Sequence, residues 1–529
     1  MRLKRFIYLI IALLIYGCAQ VVPLTGGDKD ETPPKELKST PENKSINFAA
    51  KTITIEFDEF IKLEKLLQQL IVSPVMEKQP EISVKGKKLV IQLKEELTPN
   101  TTYSINFGNA IIDITENNPI PNYKYVFSTG DYLDSLSFSG NVLFAQDLKP
   151  KEKVYVMLYQ NLDDSVPYLK KPKYVAITDK KGNFSVSNIA KGTYKVFALE
   201  DINSNYIYDL PNEQIAFFEN SINLDTNLSK QQLFLFEEKQ DNQYVKKVEH
   251  KEYGKVIFYL NQPSENIVIS TNIKEKIRWY IEEKNNTNDT IIHWLLGLGN
   301  FKEVEYYVRE GKKILDTSVV TFIEQSKFKD TTLSLNSNVT PIFDLNKNIL
   351  LSTPRPINTF NQENITLLED SVPVKFEINQ HNNTRNYEIS YSFKENTDYI
   401  LQILPATFQD IIDLKNDSII TNFKTKKDSD YGNIILNMDV NFETPYILQL
   451  LRNNKIIDEK YFTGNQSLNY PYLIPGDYAL HLIVDKNDNK KWDTGSYLKI
   501  QQPETVIHYQ KAIKIRPNWD NEIIWNIRL

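Results

Sequence analysis

From about Ser45 onward, apolar and polar positions alternate with a period of two. Thr52-Ile-Thr-Ile-Glu-Phe57 sets Ile53, Ile55 and Phe57 on one face, and Lys88-Leu-Val-Ile-Gln-Leu93 and Thr102-Tyr-Ser-Ile-Asn-Phe107 do the same. Such alternation predicts strands with one buried and one wet face. It returns at 137–144, 153–159, 195–199, 254–260, 276–281, 290–295 and 304–308. Turn residues punctuate the runs, as at Pro99-Asn100 and in Asp179-Lys-Lys-Gly-Asn-Phe184. One stretch breaks the rhythm: Leu63, Leu66, Leu67 and Leu70 fall at helical spacing and predict a short helix lying across a sheet. The pattern predicts an all-β chain.

The amino terminus, as far as Cys18, follows a different pattern. MRLKRFIYLIIALLIYGC opens on Arg2, Lys4 and Arg5 and continues as an unbroken apolar run from Phe6 to Tyr16. That run is short for a bilayer core about 30 Å thick and has the length of a secretory signal. It ends in Ile15-Tyr16-Gly17-Cys18, and Cys18 is the only cysteine of the 529 residues. The ending resembles the lipobox of bacterial lipoproteins. The resemblance implies a signal peptide over 1–17 and a lipidation site at Cys18, with diacylglycerol on its sulfur and an acyl chain such as palmitate on its nitrogen. Several chains together give lasting anchorage where one does not. Residues 18–44, with Gly26-Gly27 and Pro33-Pro34, read as a flexible tether. Asp28, Asp30 and Glu31 loosely resemble the acidic stretch that directs lipoproteins of Bacteroidota to the cell surface; exposure at the surface is expected, with a periplasm-facing placement as the alternative.

Composition narrows the functions. Hydrophobic residues make up 41% and charged residues 25%, which is a folded profile. A net charge of −6, with Lys and Arg scattered throughout, argues against nucleic acid as partner. One cysteine and five widely spaced histidines leave no disulfide framework, zinc cluster or thiol chemistry to build. No nucleophile elbow, phosphate loop or His-Glu-x-x-His motif is present. The chain reads as a non-enzyme.

Residues 45–130 resemble the bacterial Ig-like domains of surface-layer proteins. The resemblance rests on Ile55-Glu-Phe57, Leu97-Thr-Pro-Asn-Thr-Thr-Tyr103, the loop from Asp113 to Asn117, and Phe127-Ser-Thr-Gly130. Residues 131–225 are similar to the transthyretin-like or carboxypeptidase-regulatory-like sandwiches of bacterial surface proteins. A single constant offset aligns Gly192, Tyr194, Asp201, Asn203, Asn205 and Asp209 with Gly476, Tyr478, Asp485, Asn487, Asn489 and Asp493 without a gap. A second constant offset sets Asn100, Thr101, Tyr103 and Phe127 on Asn396, Thr397, Tyr399 and Phe423. An Ig-like plus transthyretin-like pair used twice is therefore expected, the second copy over 337–427 and 428–529, around a further β-rich domain at 250–335.

The sharpest motif is the repeated Asp-x-Asn-x-Asn-x-x-x-Asp. Asp201, Asn203, Asn205 and Asp209, with Glu213 as a further candidate, and Asp485, Asn487, Asn489 and Asp493 offer oxygens at the spacing of the first part of a calcium loop. Tyr206 and Lys490 stand where such a loop wants glycine, and Asn212 and Ser496 where it wants an acid. An Asx-rich hairpin connection that caps its own backbone is the other reading. Trp279-Tyr280 is the nearest candidate for a sugar-stacking platform. Five Asp-Ser/Thr-apolar triplets, at 134–136, 164–166, 289–291, 370–372 and 417–419, resemble O-glycosylation sites of Bacteroidota envelope proteins. Together these features predict a lipid-anchored outer-membrane protein acting as a scaffold or docking surface. Its partner would be an outer-membrane barrel or another envelope protein, as in a transport or protein-assembly complex. A surface glycan-binding lipoprotein is the alternative.

Overall fold

The computed structural model describes residues 30–529 apart from 240–241, 274–277, 286, 297–302, 324–329, 382–384, 441–442 and 529. Strands account for 52% of the described residues and helices for 3%. The all-β chain expected from the period-two pattern, and the tandem of sandwiches implied by the Ig-like resemblance and the repeats, are the architecture found.

In the first sandwich, Glu36–Thr40, Thr52–Phe57, Lys88–Gln92 and Glu81–Lys85 form one sheet in that order, and Ile71–Ser73, Thr102–Asn106 and Lys124–Ser128 form the other. Ile53, Ile55 and Phe57 point between the sheets and are fully buried with Leu89, Ile91, Ile105 and Phe127. At about 25 cal/mol per Å2 of apolar surface, burial of such side chains is the main stabilising term. Two details depart from the sequence reading. The expected tether contains the edge strand Glu36–Thr40, which pairs antiparallel with Thr52–Phe57. An edge strand held by its backbone needs no apolar face, and Ser39 is the one buried residue of its five, so periodicity could not reveal it. The leucine interlude yields only the one-turn helix Leu66–Gln69, with Leu67 94% exposed.

A second sandwich follows, made from a sheet of eight strands around Phe138, Val156, Tyr194 and Leu235. These two sandwiches make one compact unit, residues 1–143 and 150–235, and the rest of the chain makes another. Within the first unit, Ser73 Oγ donates to Val175 O and accepts from Val175 N, while Val75 N donates to Lys173 O, so the two sandwiches are joined by backbone as well as side chain.

The second unit holds three more cores. Val256, Phe258, Ile291 and Tyr306 fill a four-strand sheet on a three-strand sheet. Ile349, Leu367, Tyr387, Tyr399 and Phe408 fill the next sandwich. Ile434, Leu448, Leu480 and Trp525 fill the last, where strand Asp520–Ile527 pairs parallel with Gly432–Val440. Ion pairs join neighbours within this unit. Arg385 grips buried Glu283 through Nε (2.8 Å) and Nη2 (2.7 Å). Asp344 accepts from Lys426 (2.7 Å) and from Tyr431 Oη (3.3 Å).

Candidate functional site

The two Asp/Asn loops emerge from corresponding strands, Gly192–Leu199 and Gly476–Val484. Each strand opens on a tyrosine that fixes the preceding turn: Tyr194 Oη donates to Ala190 O (2.8 Å), and Tyr478 Oη to Ile474 O (2.6 Å). Each ends in a buried aspartate, Asp201 or Asp485. Asp201 accepts from the backbone N–H of Asn205 (3.3 Å) and Tyr206 (2.7 Å), and Asp485 from Asn489 (3.1 Å) and Lys490 (2.8 Å). The loop folds around this carboxylate without a glycine at its sixth position. Tyr206 and Lys490 take the left-handed conformation at φ 63° and 61°, as do Ser204 and Asp488 two residues earlier at 59° and 56°. The hydrogen bonds to the aspartate help offset the cost of that conformation in a residue with a Cβ.

The ninth position closes each loop. Asn203 and Asn205 donate through Nδ2 to Asp209 (3.1 and 2.9 Å), and Asn487 and Asn489 to Asp493 (2.7 and 2.6 Å). A half-turn of each amide would present Oδ1 instead, so the same side chains can either bond one another or offer hard oxygens to a cation. Burial opposes the charge of Asp493, but the bonds from Asn487, Lys239 and Asn489 outweigh it and hold the carboxyl below its ordinary range.

Each loop also holds a glutamate: Glu213, already a candidate from the sequence, and Glu504, which the spacing does not place. Glu213 accepts from the N–H of Ile202, Asp209 and Leu210, each at 3.1 Å, and is fully buried. Glu504 accepts from the N–H of Lys486 (2.8 Å) and Asp493 (3.0 Å). The two glutamates bridge the second and ninth positions of their loops in the same way, although Glu504 stands farther along the chain from Asp485 than Glu213 does from Asp201. Burial raises Glu504, and the nearby Asp485 and Asp493 add to the rise. The unequal separation hid Glu504, whereas the nearby Pro211 and Pro503 are the one local signal the two share. Among the described residues, no three His, Cys, Asp or Glu side chains converge as a metal cluster; the loops depend on Asn and backbone oxygens for any such role.

The second repeat matches with equal detail. Tyr103 Oη accepts from Thr98 N (2.8 Å) and Tyr399 Oη from Lys394 N (2.9 Å), and each ring stacks on Phe127 or Phe423 at 5.3 and 5.4 Å. Thr129 and Thr425 cap Thr101 N and Thr397 N at 3.0 Å in both copies. Cys18 lies outside the described residues, as do the side chains of Trp279 and Tyr280.

Residues 30–129 match the bacterial Ig-like domain family. That match spans the first sandwich, including the strand at Glu36–Thr40. No curated protein matches the chain. Solved structures overlap at low similarity. The major pilin subunit of Bacillus cereus is 11% identical over 74% of this chain and 99% of its own, with a TM-score of 0.14. An S-layer protein fragment is 10% identical over 92% and 67%, at 0.14. The streptococcal ancillary pilin is 13% identical over 47% and 78%, at 0.16. TM-scores this low carry no argument for this chain.

Proposed function

We propose that the protein is a non-enzymatic, lipid-anchored envelope protein whose sandwiches act as a spacer and docking surface at the outer membrane. The observation that carries this reading is the tandem itself: an Ig-like sandwich of bacterial type whose Tyr103 and Thr129 turn bonds recur at Tyr399 and Thr425, and two further sandwiches that share an Asp/Asn loop, behind a segment ending in Ile15-Tyr16-Gly17-Cys18. The bonds shared by the two copies fix loops and turns, which is the work of a scaffold. Residues 131–225 and 428–529 are read as transthyretin-like modules, and the partner as an outer-membrane barrel or another envelope protein. Open sheet edges and loop tips offer the docking modes. Affinity purification of the native protein from membranes tests this: stoichiometric recovery of a barrel or envelope partner supports it, and recovery of the chain alone opposes it.

Calcium belongs to the same reading. The oxygens of Asp201, Asn203, Asn205 and Asp209 with Glu213, and of Asp485, Asn487, Asn489 and Asp493 with Glu504, suit a hard cation that would rigidify each loop. With calcium, the full chain is expected to release calorimetric heat and melt at a higher temperature, and Asp201→Asn with Asp485→Asn to abolish both. No heat and no shift in the unsubstituted chain would leave the loops as self-capped Asx turns.

A glycan-binding reading has one observation in its favour. A cleft of about 1110 Å3 in the second unit is lined with amides and a histidine, among them Asn285, Asn288, Asn336, Asn338, His381 and Asn386. Binding on a glycan array that is lost in Asn338→Leu would support it.

A further inference from the structure

In the last sandwich, strands Gly476–Val484 and Val506–His508 pair so that His481 stands opposite His508, and Val506–His508 is the last strand of its sheet. The two half-buried rings stack with centroids 3.7 Å apart and planes 6° from parallel. His508 Nε2 is buried with no hydrogen-bond partner among the described residues. The earlier copy of this sandwich has phenylalanine in the same two places. The constant offset that aligns the Asp/Asn loops sets His481 on Phe197, which stands opposite Phe217 of strand Gln214–Phe217. His508 follows Glu504 by four residues, as Phe217 follows Glu213. Both phenylalanines are buried. A place that packing fills with two apolar rings therefore carries two titratable ones in the last sandwich.

We propose that His481 and His508 form an acid-sensitive latch: neutral, the stacked rings hold strand Val506–His508 on its sheet, and protonated they release it. Neutral rings gain contact across their stacked faces. A first proton puts charge where burial disfavours it, and a second sets two like charges about 3.7 Å apart. Burial first, then the neighbouring His508, pushes His481 from 6.5 down to about 4, with Asp147 opposing and Lys149 assisting. Burial lowers His508 too, and the same two residues act on it in the same senses. Asp147 and Lys149 pair with each other at 2.6 Å, so their effects largely offset. From the adjoining strand, Gln449 stands opposite His481 and spends its amide on Glu459. The next cross-strand pair, Ile483 and Val506, packs with Ile447, Leu148 and Trp492 and adds no charge. A histidine lowered on folding contributes stability that is complete above 6.5 and is lost as pH falls from there toward about 4. Release also reaches the second Asp/Asn loop, because Glu504, two residues before Val506, holds the N–H groups of Lys486 and Asp493.

Hydrogen exchange of the full chain in detergent tests the latch, read as protection factors of the amides at 480–484 and 504–509. Between about pH 7 and pH 4.5 these should fall at least about tenfold, while those at 197–199 and 214–217, where phenylalanine stands, hold within about threefold. His481→Phe with His508→Phe, which copies the earlier sandwich, should abolish the fall, and His381→Gln should leave it intact. Ring-proton magnetic resonance of the unsubstituted chain serves even where the double variant fails to fold: two histidines should begin to titrate only as protection is lost. Protection that does not change with pH, a fall of equal size in the double variant or at 214–217, or five histidines that all titrate near 6.5 while protection persists, would overturn the proposal.

Discussion

Arg355 and Asp410 show what a single charged pair contributes. Arg355 Nε donates to Asp410 Oδ2 at 2.7 Å, and the side chains are 6% and 0% exposed. Asp410 also accepts from Ile412 N and Leu414 N, so its carboxylate organises the loop that follows strand Phe408–Asp410. Arg355→Met leaves that carboxylate buried without its cation and should cost about 3–5 kcal/mol, with part of the loss recovered on adding Asp410→Asn. Thermal or denaturant unfolding measures both. Asp344 gives a pH-dependent counterpart. Burial opposes its charge, but bonds from Lys347 and Lys426 prevail and hold it below its ordinary value of 3.8. A carboxyl lowered on folding contributes stability that is complete above its unfolded value and is lost as pH falls through that value toward the folded one. Lys347, Lys426 and Tyr431 face this group. The melting temperature of the native chain should exceed that of Asp344→Asn at pH 6, and the gap should begin to narrow as the pH falls below 3.8. A gap that stays constant with pH would contradict the assignment.

Among the elements, strands were legible in the sequence wherever one face is buried. Lys255–Leu260 alternates with Val256, Phe258 and Leu260 buried, and Gly432–Val440 buries every second residue from Ile434 to Val440. Glu36–Thr40 was not legible, because its role is backbone pairing. The leucine run misled for a related reason: helical spacing without a covering sheet left Leu67 in solvent. In the candidate loops, Asp and Asn could be read from their fixed spacing. Glu504 could not, since a long connection brings it back to the loop. The repeat makes a sharp comparison between elements. Tyr194 and Tyr478 make the same bond to the carbonyl four residues earlier, so Tyr194→Phe and Tyr478→Phe should each cost about 1–2 kcal/mol. Unequal losses, differing by more than about 1 kcal/mol, would mean that the two strands have diverged in what they stabilise.

For the whole molecule, the division into two compact units predicts unfolding in more than one step. Calorimetry of the full chain should resolve at least two transitions, and Arg355→Met should lower only the one that belongs to the second unit. A single transition shifted as a whole would show that the units unfold together. Carboxylates hold loops, as Asp201 and Asp485 do, and pair with lysines, as Asp344 does. The central proposal is that Cys18 anchors the chain to the envelope. Mass spectrometry of the N-terminal peptide, from protein extracted from membranes, tests it most directly. The expected result is a chain beginning at Cys18 with diacylglycerol on sulfur and an acyl group on nitrogen, and loss of both in Cys18→Ala. A free Cys18 thiol, or a mature chain that begins elsewhere, would contradict it.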